Sequence, residues 1–330
     1  MLLTLNALAH FGVDGLCAAA IFGWNHGSIW VFLLYNTLAF STQCLLGLAA
    51  DRLRRHSTAA AMSLLLVAAG WALPLPLWLK VTLIGLGNSG FHVAGGCMTL
   101  EHSNGRSAPL GIFVAPGAVG LTLGTLWPKL GGCFAVCLVL CALTELLLEK
   151  RGTEKKPPWC DGSQRGTCDK ALISVLLALA VAVRAVGGAA VLFPWKTGVS
   201  MALLTAGCIY GGKTAGGFVC DRLGPGRTAS LSIIPAALLI AFCSRWAIPS
   251  LLGQFALNLT MPVTLWLLYR NMPDAPGFAF GLAASALWPG TLAGQLMILT
   301  GPALWLCVIL SFVFGLCAIL FSQRHVCSSG

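Results

Sequence analysis

His10 and Asp14 stand four residues apart in an otherwise apolar stretch near the start of the chain. On a helix that spacing puts an imidazole and a carboxylate on one face, within reach of each other. Such a pair can carry a proton, because protonation of either partner changes the local charge in a partly dry setting. A hydrogen bond that only ties two helices together uses the same residues, so both readings stand from sequence. His92, four residues after Asn88 and next to Phe91, carries the same two readings. Arg184 and Lys213 are the remaining charges inside apolar segments. Each costs about 2.5–3.5 kcal/mol at mid-helix unless it is partnered or hydrated. Arg184 suits an anionic or carboxylate-bearing ligand through paired hydrogen bonds, or else serves as a counter-ion for Asp14. Lys213, in Tyr210-Gly-Gly-Lys213-Thr-Ala-Gly216-Gly217, can snorkel toward the membrane surface in a structural role near a gate, or touch a ligand directly. Asn36, Gln43, Asn88, Gln254, Asn258 and Gln295 are polar groups that line a cavity or join helices.

Enzyme chemistry finds little support among these residues. The chain holds no Ser-His-Asp set, no paired Asp, no His-Glu-x-x-His and no Walker pattern, so the expectation is no catalytic residue, no cofactor and no metal. The fourteen Cys are mostly scattered singly through apolar segments as small hydrophobes. Cys160 and Cys168 match no zinc spacing.

The elements that must position these groups follow from composition. With 57% hydrophobic and 9% charged residues and a mean hydropathy of +0.85, the chain has too little polar surface to cover a water-soluble globule. A spanning helix needs roughly 20 apolar residues. Twelve such segments are predicted, at 3–23, 29–50, 58–76, 79–100, 108–128, 131–149, 171–193, 198–220, 228–245, 247–270, 276–297 and 302–322. Period-two alternation is missing, which argues against a barrel. The first segment lacks a basic leader and is expected to be retained as a helix.

The formal charge of +10 reports topology rather than nucleic-acid binding. Arg52, Arg54, Arg55, Arg106, Lys150, Arg151, Lys155, Lys156, Arg165, Lys170, Arg222, Arg227, Arg270 and Arg324 fall on one side of the twelve spans, against Lys80, Lys129, Lys196 and Arg245 on the other. The richer side is cytoplasmic, which places both termini inside a plasma membrane. Trp24, Trp30, Trp78, Trp127, Trp195, Trp246 and Trp305 gather at the opposite interface as an aromatic belt.

One short pattern is written twice. Gly47-Leu-Ala-Ala-Asp51-Arg52 returns 170 residues later as Gly217-Phe-Val-Cys-Asp221-Arg222. The expected organisation is a six-helix half at 1–149, a polar cytoplasmic linker at 150–170 and a second six-helix half at 171–330, in parallel orientation. The same offset relates Asp14 to Arg184 and Gln43 to Lys213. Asp51, Arg52, Asp221 and Arg222 can pair with neighbouring helix ends as a conformational latch, or serve only as anchoring charges that set topology. Pro116-Gly117 and Pro289-Gly290 fall on corresponding spans and read as kinks.

The doubled loop, the twelve spans and the central linker resemble the major facilitator superfamily across the whole chain. Ala9-His10-Phe-Gly-Val-Asp14, Gly85-Leu-Gly87-Asn88-Ser-Gly-Phe91-His92 and Gly105-Arg106 resemble its fosmidomycin-resistance-like branch. Two departures are visible: Arg54 stands where the loop usually has Gly, which Gly224 keeps in the second copy, and Val93 stands where Pro usually follows Phe-His. The resemblance implies a secondary transporter working by alternating access as a monomer, coupled to protons, with efflux of a drug or metabolite favoured. The alternatives are a membrane sensor on the same fold and an uptake permease for an anionic metabolite. Its partners would be a small-molecule substrate, protons and the lipid bilayer, without nucleic acid.

Overall fold

In lipid no water is available to bond an exposed peptide group, so a chain this apolar satisfies its backbone within helices. The computed structural model describes residues 1–24, 28–148 and 167–327. Most of the expected linker lies outside those residues, as do Cys160 and the side chain of Cys168. The described helices are α1 (Leu2–Trp24), α2 (Ile29–Asn36), α3 (Gln43–Leu53), α4 (His56–Ala72), α5 (Leu77–Glu101), α6 (Ala108–Val114), α7 (Pro116–Leu126) and α8 (Gly131–Leu148). They continue as α9 (Thr167–Ala189), α10 (Gly198–Leu223), α11 (Pro225–Cys243), α12 (Ala247–Asn258), α13 (Thr260–Asn271), α14 (Pro276–Leu296) and α15 (Gly301–Cys327). Each predicted span falls on helix. Among the described residues, eight helical stretches are long and apolar enough to cross a membrane, which makes this a multi-pass membrane protein. Glycine, proline and polar groups such as Asn88, His92 and Lys213 dilute α5, α10 and α14, which fall outside that set, and α4 is short.

Among the described residues three predicted spans are interrupted, the first of them where a polar group enters the ladder. Between α2 and α3 the backbone widens into a π-turn at Thr37–Ser41. There the Ser285 hydroxyl donates to the Phe40 carbonyl (2.9 Å) and accepts from the Cys44 N–H (3.0 Å), replacing the helical bond between those two residues. Pro116, which has no N–H to donate, separates α6 from α7. A third break, at Leu259, separates α12 from α13.

The chain divides into two compact units: Met1–His102 with Ile112–Lys156 and Asp274–Ser285, and Ser103–Gly111 with Pro157–Pro273 and Ala286–Gly330. Each therefore contains a short segment from the other half of the sequence. In the first unit α1 packs on α7, α5 and α8. A Cβ at Gly120 or Gly124 would collide with the carbonyls of Phe11 and Gly15, so only glycine permits this approach of α7 to α1. In the second unit α9 packs on α15, and α11 on α12 and α15. Large apolar side chains such as Leu147, Ile248 and Ile298 are exposed, as expected of a surface facing lipid.

The 170-residue offset is realised contact by contact. In the first unit the Asp51 carboxylate accepts the N–H groups of Gly277 (2.7 Å) and Phe278 (2.8 Å) at the start of α14. In the second, the Asp221 carboxylate accepts those of Ser107 (2.6 Å) and Ala108 (3.1 Å) at the start of α6. Both use first-turn N–H groups that have no partner within their own helix, and the helix dipole favours the negative charge there. The Ser107 hydroxyl adds a bond to Asp221 (2.8 Å) that Gly277 cannot supply to Asp51. Gly47 and Gly217 leave room for these approaches, since a Cβ would meet the backbone at Gly277 and Ala108 respectively. Where the second copy turns at Gly224 (φ 81°), the first turns at Arg54 in the left-handed region (φ 51°, ψ 32°).

Candidate functional site: a histidine pair before a carboxylate

α1 and α5 bring His10, Asp14, Asn88 and His92 together in the interior of the first unit. His10 and Asn88 are buried; Asp14 and His92 are largely so. The His10 Nδ1 lies 2.7 Å from the Phe113 carbonyl beside the Pro116 break, and the His92 Nδ1 lies 2.9 Å from its own helix carbonyl at Asn88. A carbonyl oxygen only accepts, so both Nδ1 atoms carry a proton. The two Nε2 atoms then face each other at 2.9 Å. Neutral rings would oppose two lone pairs at that distance, and doubly charged rings would oppose two protons. One proton shared between the Nε2 atoms would satisfy both.

Asp14 supplies the balancing charge. Its Oδ2 is 3.3 Å from the His10 Nε2 and its Oδ1 3.5 Å from that of His92. The Asn88 amide also reaches Asp14 Oδ1 (3.4 Å) and the Tyr35 hydroxyl (3.1 Å). A cluster that changes charge by a full unit inside an apolar bundle alters the cost of every nearby polar contact. Gly117 seals its other side, because a Cβ there would strike Asp14 Oδ2 and His10 Nε2. Phe91 and Phe113 flank the His10 ring, at centroid distances of 6.4 Å and 4.9 Å.

In the second unit, the equivalent place on α9 belongs to Arg184, also buried. It donates to the Thr260 hydroxyl next to the Leu259 break. Thr260 donates in turn to the Leu257 carbonyl (2.8 Å). A Cβ at Gly315 would press on the Arg184 stem.

No protein-family model matches the chain, and no curated protein matches it. Among solved structures, the chain is similar to the crystal structure of the Escherichia coli fucose:proton symporter FucP, with a TM-score of 0.72 and 14% identity over 97% of each chain. It is also similar to FucP as a major facilitator superfamily transporter in the outward conformation, with a TM-score of 0.68 and 13% identity over 96% of this chain and 98% of that one. The chain has the major facilitator fold.

Within that fold the remaining sequence candidates occupy distinct places. The Asn36 amide donates to the Phe32 carbonyl and that of Asn258 to the Gln254 carbonyl, both at 2.8 Å, so each is tied to its own helix. The Gln254 amide nitrogen is buried without a hydrogen-bond partner. Gln43 is buried, with its amide on the Ala39 carbonyl (2.8 Å) and its Oε1 unsatisfied. The Lys213 carbonyl borders Gly111, and the Gln43 carbonyl borders Gly281, again 170 residues apart in both members. Arg52 and Arg222 are exposed beside their aspartates. Two participants escaped sequence reasoning, Tyr35 and Thr260, while Gly117, expected only as part of a kink, also walls the cluster. The helix spacing of Tyr35 and Asn36 offered no reason to prefer the former, but Pro116-Gly117 on a helix facing a polar pair was a usable signal.

Proposed function

We propose that the chain is a secondary transporter that moves a small solute by alternating access, with the His10–His92–Asp14 cluster as its proton-carrying site. The observation that supports this best is the 2.9 Å approach of two imidazole nitrogens whose other nitrogens both donate to carbonyls. That geometry suits one exchangeable proton in front of a carboxylate. The likeness to a structure of a fucose:proton symporter supports coupling to protons. On this reading the fold comprises twelve transmembrane helices in two six-helix halves, 1–149 and 171–330. The 150–170 linker and both termini are cytoplasmic, and a monomer works in the plasma membrane. Asp51 and Asp221 are latches released when the protein changes state. Arg184, Lys213, Asn36, Asn88, Gln254 and Asn258 are the candidates for polar contact with the substrate. The motif resemblance to the fosmidomycin-resistance-like branch favours efflux of a drug or metabolite.

The test begins with a thermal-shift screen of metabolites and drugs on the purified protein, repeated with Arg184→Ala. A solute that shifts the wild type is then followed in proteoliposomes under an imposed pH gradient. Gradient-driven flux is expected in the wild type and absent in Asp14→Asn. Undiminished flux in Asp14→Asn would sink the coupling role, and binding without flux in the wild type would favour a sensor.

A further inference from the structure

A second cluster of ligating side chains lies in the first unit, apart from the histidine pair. His56 is the first residue of α4, while Cys97 and Glu101 stand one turn apart on α5. The His56 Nε2 is 3.4 Å from Cys97 Sγ and 3.4 Å from Glu101 Oε1. The three donor atoms all lie within 4.8 Å of one another. Cys97 is fully buried, His56 is 9% exposed and the Glu101 side chain 32% exposed, so the site has one solvent-reached wall.

We propose that His56, Cys97 and Glu101 form a binding site for a divalent transition-metal ion of the zinc type. Metal–sulfur and metal–nitrogen bonds of about 2.3 and 2.0 Å at a tetrahedral angle require donor atoms separated by about 3.5 Å, and a nitrogen–oxygen edge requires about 3.4 Å. The distances around His56 Nε2 match both edges. By the same arithmetic a nitrogen–nitrogen edge requires about 3.3 Å. The 2.9 Å between His10 and His92 is shorter than that edge, so of the two clusters with donor atoms within 4.8 Å the one at His56 has the better match. Imidazole with thiolate selects a borderline-soft ion over magnesium or calcium. Three protein donors leave the fourth position to water on the Glu101 side. Binding forms a metal–sulfur bond and breaks the Cys97 S–H bond, and the proton leaves to solvent.

The site has a neighbour that gives binding a consequence. Asp51, which holds the start of α14, lies within electrostatic reach of both His56 and Glu101. A bound dication adds positive charge beside that carboxylate and strengthens its ionised, docked form.

Titrating the metal-free, detergent-purified full chain with cobalt(II) tests the site, because a cobalt–thiolate bond gives a charge-transfer band in the near ultraviolet. One cobalt per chain is expected, displaced by zinc. Cys97→Ser should abolish the band, although thirteen other cysteines remain, and Glu101→Gln should weaken binding by about tenfold or more, the scale seen when support for a metal is removed. Absence of the band in the wild type, or its survival in Cys97→Ser, overturns the proposal. Should Cys97→Ser not fold, unchanged affinity in Glu101→Gln overturns it equally.

Discussion

The Nε2 atoms of His10 and His92 lie 2.9 Å apart while both Nδ1 atoms face carbonyl oxygens. Each ring therefore has its outer nitrogen committed, and one proton is left for the two inner ones. Asp14 sits 3.3 Å and 3.5 Å from those inner nitrogens, where a carboxylate would balance a positive charge on the pair.

Histidine nitrogen NMR on labelled protein should show this directly. The wild type is expected to give one strongly downfield shared proton coupled to two ring nitrogens. Asp14→Asn removes the balancing charge and should eliminate that resonance at neutral pH. Two independent neutral rings in the wild type would contradict the assignment.

Gly117→Ala places a methyl group against Asp14 Oδ2 and His10 Nε2. Overpacking of this kind costs about 1–3 kcal/mol. Thermal unfolding in detergent should shift downward accordingly, and gradient-driven flux should fall with it. A variant of unchanged stability and flux would mean that α7 can retreat without disturbing the cluster.

Asp51→Ala and Asp221→Ala should behave as a matched pair. Each removes the acceptor for two backbone N–H groups, at residues 277 and 278 or at 107 and 108. Amide hydrogen exchange at those positions should accelerate by about tenfold, equivalent to about 1.4 kcal/mol of lost hydrogen bonding. Acceleration confined to the mutated copy is the expected pattern. No change at either helix start would show that water replaces the carboxylates without loss.

Glu145 presents the opposite case, a group whose removal should help. It is fully buried, and neither carboxylate oxygen has a hydrogen-bond partner. The neighbouring Ser57 hydroxyl is directed at Met98 Sδ, 3.4 Å away. Glu145→Met fills a similar volume without the desolvated polar atoms, and it should raise stability by about 1–3 kcal/mol. A lower melting temperature would point to a partner acquired in another state of the protein.

Much of this was legible in the chain because hydropathy and the doubled Gly-x-x-x-Asp-Arg pattern act over whole helices. The positions of the helices followed from apolar runs, and the pairing of His10 with Asp14 followed from helical spacing. The juxtaposition of His10 with His92, 82 residues apart, depends instead on how α1 meets α5. The break at Thr37–Ser41 was hidden for a related reason, since Ser285, far along the chain, occupies the gap in the ladder. His56, Cys97 and Glu101 were likewise invisible to a search for short metal motifs, because their spacing of 41 residues is set by tertiary packing.

The short segments 103–111 and 274–285, each seated in the unit built mainly from the other half of the sequence, bear on how the protein is made. A ribosome delivers the N-terminal half first, and Asp51 then has no Gly277 or Phe278 to hold. The first unit stays open at that place until nearly the whole chain has been synthesised. A fragment ending before 274 therefore lacks both backbone donors that Asp51 holds.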